Sequence, residues 1–186
     1  MTTHLKTTRP PVEAVVPPPP RWAVVAAHTV PLLALPSGLW RVALVAGVPI
    51  GFNGQVPPGE TAYILALSVV SELAALMTLG LVRPWGEVAP RWIPLIGGRR
   101  VRPAAAIVPA CVGAALIALI CAWALRGQFQ GMLADEMTTA GHALLIACYL
   151  PLLGWSPLLL AVTYSYWRRH RRATAVPASP GDRVSR

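Results

Sequence analysis

The chain has 186 residues, of which 55% are hydrophobic and 12% charged, and a formal net charge of +9. Soluble globular domains carry about 25% charged residues, so this balance excludes an ordinary soluble fold and points to a membrane protein. The basic excess does not indicate nucleic acid, because the charges sit at the ends of apolar runs, where membrane headgroups are the natural counter-ion.

Two residue types say little about chemistry. Lys6 is the only lysine, which fits the codon bias of a high-GC bacterial genome better than recognition by arginine. Cys111, Cys121 and Cys148 all fall inside apolar runs. Their number is odd for a disulfide framework and their spacing suits no metal, so they read as small buried hydrophobes. No metal and no cofactor is expected.

Residues 1–21 are polar and proline-rich, ending in Pro17-Pro18-Pro19-Pro20-Arg21. Such a stretch favours polyproline II and cannot build a core, so it reads as a disordered cytoplasmic tail. It is long for the start of a signal peptide, and the run after it contains His28 and Pro31 without a small-x-small site, so cleavage is not expected.

Four apolar spans follow, predicting an all-α polytopic integral membrane protein with four transmembrane helices. The first covers Trp22 to Trp40, enough to cross about 30 Å of hydrocarbon. Pro31, Pro36 and Gly38 are expected to bend it or end it early. Residues 42–51, set apart by Arg41, read as an interfacial or re-entrant piece. The second span, Ala62–Val82, is interrupted only by Glu72. The third, Ala104–Leu125, has no charge. The fourth, His142–Trp167, holds Pro151 and Pro157 and is expected to kink or tilt. A basic tail, 168–186, closes the chain.

Orientation follows from the basic residues. Fourteen lie in the first tail, the loop after span two and the last tail, against Arg41 and Arg126 on the other side. Both termini are therefore expected in the cytoplasm, in a bacterial cell membrane. Aromatics agree: Trp22, Tyr164, Tyr166 and Trp167 suit the cytoplasmic interface, and Trp40, Tyr63 and Trp123 the outer one. Ala110, Ala114, Ala118 and Ala122, with Gly113 beside them, form a shallow stripe for a close helix partner, and Ala143 and Ala147 offer a matching patch.

Glu72 carries the most information. A charged carboxylate near the bilayer centre costs about 3 kcal/mol or more, so it either holds a proton or has a partner. Ser68, Ser71 and Glu72 share one helix face and should look into the bundle. His28 is a candidate partner of Glu72, through water or helix tilt, or else a neutral buried histidine bonded to a backbone carbonyl. Toward the outer side Arg41, Glu60, Arg126, Asp135, Glu136 and His142 gather into a candidate charged vestibule, or a set of solvated loop charges.

The loop from Arg83 to Arg102 is too apolar to be free and too broken by proline for a long helix. Its tryptophans suit the headgroup boundary, and Arg91, Arg99, Arg100 and Arg102 suit lipid phosphates, as do Arg168, Arg169, Arg171 and Arg172 after Trp167. Anionic headgroups on the cytoplasmic face are thus the expected partners. The run Trp85-Gly86-Glu87, Pro90-Arg91-Trp92 and Gly98-Arg99-Arg100-Val101 between apolar spans resembles a loop of small polytopic membrane proteins of high-GC actinobacteria, a family with no established activity. The resemblance covers this loop and the span order, and implies membrane embedding but no catalytic residues.

Paired carboxylates, a zinc-type His/Cys set, Gly-x-Ser-x-Gly and a dinucleotide fingerprint are all absent. The sequence therefore favours a non-enzymatic accessory or interaction subunit, with a membrane-protein partner or a second copy. Two other classes stay open: a small oligomeric transporter or channel subunit using Glu72, and a membrane-embedded enzyme acting on a lipid or isoprenoid.

Overall fold

The computed structural model describes residues 16–54, 56–86, 98, 101–126 and 137–174. The expectations for Arg91, Arg99, Arg100, Asp135 and Glu136, and for most of both tails, lie outside the described residues. Among the described residues the chain is helical and has no strand, only an isolated bridge between Phe52 and Met137. Four helical stretches are long and apolar enough to cross a membrane, as a multi-pass membrane protein requires.

The first helix, α1, runs without a break over Arg21–Val45, with Pro31 and Pro36 inside it. Two expectations are corrected here. The prolines do not end the helix, and residues 42–45 are its last turn rather than part of a separate piece. Proline frees a backbone carbonyl one turn back, but in a bundle neighbouring groups compensate and the helix survives. Hydroxyls of the same helix bond backward as well, Thr29 to the Val25 carbonyl at 3.0 Å and Ser37 to that of Ala34 at 2.9 Å.

Helix α2 covers Pro58–Met77 and tightens into a 3-10 turn, Thr78–Leu81. A second 3-10 turn, Pro84–Gly86, folds Trp85 back over Gly80. A side chain at Gly80 would meet the Trp85 ring at 2.8 Å, and one at Gly86 would overlap the Gly80 carbonyl. Helix α3 is Pro103–Leu125. The fourth span is composite: α4 (Thr139–Tyr149), a 3-10 segment at Leu150–Gly154 containing Pro151, and α5 (Trp155–Thr174). Helix α5 thus carries the Arg168–Arg172 run as helix. Thr138 caps α4 by accepting from Gly141 N at 3.1 Å.

Packing centres on α1. It lies against α2 and α5, while α3 packs on α5 and makes little or no contact with α2. The buried face of α1 is Ala23, Ala27, Val30, Ala34 and Ser37, stepping by four and three residues. That spacing is a seam, and its small residues let helix backbones approach. On α5 the matching seam is Trp155, Leu159, Val162 and Tyr166. On α3 only Ala114 is fully buried, and its carbonyl accepts from Ser156 Oγ at 2.9 Å. The alanine stripe is therefore used at Ala114 and partly at Ala110, whereas Ala118, Ala122, Ala143 and Ala147 are exposed. Trp40, expected at the interface, is instead buried with Met137 and Leu145.

This seam yields a stability test. Ala114→Leu should overpack the α3–α5 contact and cost about 1–3 kcal/mol, while Ala118→Leu one turn on should be close to neutral. Reversible unfolding in mixed detergent–SDS micelles measures both. Equal losses would mean that α3 is not seated on α5 at Ala114.

Candidate functional site

The polar groups inside the bundle converge on Arg41. Its position continues the α1 seam four residues beyond Ser37, so the side chain points inward. Arg41 Nε donates to the Tyr149 hydroxyl at 3.0 Å, one terminal nitrogen to Ser68 Oγ at 3.4 Å, and the other to Ser37 Oγ at 3.5 Å. The guanidinium carbon lies 5.6 Å from the Tyr149 ring centre, and Trp40 packs edge-on to that ring at 5.8 Å. One side chain thus ties α1 to α2 and to α4.

Glu72 sits one turn below Ser68 on α2, against Gly38 of α1. A side-chain carbon at Gly38 would lie 3.1 Å from Glu72 Oε1, so the bare backbone there makes room for the carboxyl. That oxygen is buried and has no hydrogen-bond partner among the described residues. Arg41 stands three residues beyond Gly38 on the same helix.

Of the two readings for His28, the pairing with Glu72 is not formed and the bond to a backbone carbonyl is. His28 is ten residues from Gly38 on α1, roughly 15 Å along the axis. It donates or accepts between the Val24 carbonyl, 2.7 Å from Nδ1, and Arg83, 3.3 Å from Nε2. The Nδ1–H tautomer serves both contacts, donating to the carbonyl and accepting from the guanidinium. Ser71 also stands apart, bonding back to the Leu67 carbonyl at 2.7 Å.

Among the described residues the other outer candidates do not assemble around Arg41. Glu60 and Arg126 are exposed, and His142 Nδ1 bonds the Thr138 carbonyl at 3.3 Å. At the other end of the molecule the basic run divides. Arg168, Arg171 and Arg172 are exposed, with Arg171 4.8 Å from the Trp167 ring centre, and Arg102 is exposed at the start of α3. Arg169, expected among the headgroup-facing residues, is turned inward and only 7% exposed. Its two terminal nitrogens donate to the Leu81 carbonyl at 2.7 Å and the Pro17 carbonyl at 3.2 Å. It therefore closes the open carbonyl end of α2 and fastens the proline stub.

A cavity of about 880 Å³ opens between the end of α2 and α3, with α5 as its floor. Its walls are apolar and include Met77, Leu81, Ile117 and Leu159. Neither Arg41 nor Glu72 lines it. Among the described residues no group of three or more His, Cys, Asp and Glu side chains could hold a metal ion.

No protein-family model, curated protein or solved structure matches the chain. The site must therefore be read from its own geometry. The sequence reading overlooked Ser37, Gly38 and Tyr149, although Ser37 and Arg41 are four apart, as are Ser68 and Glu72. Two such pairs on adjacent antiparallel helices bring all four residues to one place.

The Arg41 cluster generates a double-mutant cycle. Arg41→Gln should cost about 2 kcal/mol, since it removes the bonds by which one guanidinium ties Ser37, Ser68 and Tyr149 together, and Arg126→Gln should cost almost nothing. Combining Arg41→Gln with Glu72→Gln should depart from additivity by about 1 kcal/mol. Strict additivity in the same micellar unfolding assay would show that the two charges do not sense each other.

Proposed function

We propose that the chain is a non-enzymatic accessory or interaction subunit of a bacterial cell membrane, threaded with both termini in the cytoplasm. One observation carries this reading. Arg41 is bonded across helices to Ser68 and Tyr149, Glu72 is packed against Gly38, and neither lines the large cavity. Chemistry or ion transfer at Glu72 needs a route for substrate or water. Interhelix bonding needs only contact.

The partner is a membrane protein or a second copy, met through the outward face of α3. There Val108, Val112, Leu116, Leu119 and Trp123 form a continuous exposed apolar stripe, and among the described residues α3 packs mainly on α5. The fourteen-to-two division of basic residues supports the orientation. The loop's likeness to actinobacterial membrane proteins supports the compartment.

Photo-crosslinking in native membranes tests the reading. A photoreactive residue at Leu119 should give a discrete protein adduct, while one at Leu35, an exposed site on α1, should give lipid adducts only. Lipid adducts alone at both positions would remove the interaction subunit from consideration. Orientation has its own test in cells whose three native cysteines are replaced. Asn53→Cys should react with an impermeant maleimide from outside, and a cysteine placed at Ser185 should not.

A second reading, a small oligomeric transporter, is favoured by one feature: the buried, unbonded Oε1 of Glu72. Infrared difference spectra between the wild type and Glu72→Gln in bilayers separate the two. A carboxyl band that titrates across neutral pH means proton access from water and supports transport. An invariant band means a sealed structural group.

A further inference from the structure

We propose that the cleft between α2 and α3 binds one anionic phospholipid of the host bilayer, its chain lying along the cleft and its phosphate held at the Arg102 end. This goes beyond the interaction reading and does not depend on whether the outer face of α3 has a protein partner.

Size and shape come first. The volume of about 880 Å³ falls in the ~300–1,000 Å³ range of sites that enclose whole ligands. On α3 the wall extends from Ala105 to Ile117, roughly 18 Å at the helical rise. One leaflet of hydrocarbon is about 15 Å deep. The cleft is thus as long as one lipid chain is deep. It starts where α2 ends and stops near the middle of the bundle.

Wall chemistry agrees. Small residues on both sides, Ala74 of α2 and Ala106, Ala110 and Gly113 of α3, hollow the groove, and Leu81 and Leu159 give it an apolar surface. A flexible methylene chain suits such a wall.

The polar end of the cleft is specific. Thr78 lines it, is only 2% exposed, and its Oγ1 has no hydrogen-bond partner among the described residues. In a bilayer no water is at hand to satisfy that hydroxyl. Thr78 opens the 3-10 turn Thr78–Leu81, which leads toward the mouth. There Trp85 and Val101 line the cleft, and the exposed Arg102 neighbours Val101 in sequence. A cation beside the mouth suits a phosphate. Trp155 also has an unbonded Nε1, but it lines the deep end, where a lipid offers only hydrocarbon, so its N–H takes no part.

Native mass spectrometry of the full chain, titrated with phosphatidylglycerol or with phosphatidylcholine of the same chains, tests the proposal. The expected result is one saturable phosphatidylglycerol, with phosphatidylcholine roughly tenfold weaker. Gly113→Phe should abolish the bound lipid. A side chain at Gly113 meets nothing within 4 Å, so it grows into the cleft and leaves the packing alone. Gly59→Phe, equally unobstructed and on the other end of α2, should bind as wild type. Arg102→Gln should weaken binding about fivefold and Thr78→Val about threefold, while Trp155→Phe should have no effect. Circular dichroism and size exclusion establish that each variant is folded. Unsaturable binding, equal affinity for both lipids, or an undiminished adduct in folded Gly113→Phe overturns the proposal. So does a crosslinker at Ala110 that captures a polypeptide instead of a lipid.

Discussion

A bilayer interior supplies no water, so every polar group placed there must be satisfied by the protein itself. Two arginines face that constraint in this chain, and the architecture follows from how they meet it. The α1 seam of Ala23, Ala27, Val30, Ala34 and Ser37 continues at the same interval to Arg41. The α5 seam of Trp155, Leu159, Val162 and Tyr166 continues to Arg169. Neither arginine can turn to lipid without turning its whole helix. Each is instead clasped by two further elements: Arg41 by Ser68 of α2 and Tyr149 of α4, Arg169 by the Leu81 and Pro17 carbonyls. The bundle is fastened at both ends by a guanidinium and closed in between by small side chains.

Fastening of this kind fixes register more than it adds stability. A buried charge pair gains little over well-packed apolar residues of similar size, but breaking one partner away is expensive. Sliding α1 by one residue against α2 would carry Arg41 off Ser68 and push the backbone at Gly38 away from the Glu72 carboxyl. Alanine seams alone would tolerate many such slips. The two arginines therefore select one alignment among several of similar packing energy.

The membrane class and the four spans were legible because they depend on summed hydropathy, which no local detail reverses. The end of α1 was not. Arg41 reads as a break when charge is taken as a signal of solvent, and as the sixth member of a seam when the spacing from Ala23 is followed. The same error placed Arg169 with its headgroup-facing neighbours, although its spacing from Tyr166 and Val162 sets it on the buried side. Glu72 stands out in the sequence because it interrupts an apolar run. Its neighbour on α1 was not legible, because the register of the α1–α2 hairpin, which brings Gly38 opposite the carboxyl, is set by tertiary packing. The cleft had no sequence signature. It arises because α3 packs on α5 at Ala114 and leaves α2, a matter of tertiary contact alone.

An opening of that size between two membrane helices is not left empty in a bilayer, since lipid chains are mobile and apolar walls welcome them. The physical question is what makes one occupant stay. Hydrocarbon contact does not, because a chain gains nearly the same contacts in the leaflet it leaves. Retention has to come from groups that bulk lipid cannot serve. In the proposed lipid site Thr78 Oγ1 is such a group, and Arg102 beside Val101 adds a charge that selects anionic over neutral headgroups. Ionisable residues deep in a bundle are read from sequence as signs of function. Here Arg41 is taken up by contacts between helices, while Glu72 keeps a carboxyl oxygen with no partner among the described residues.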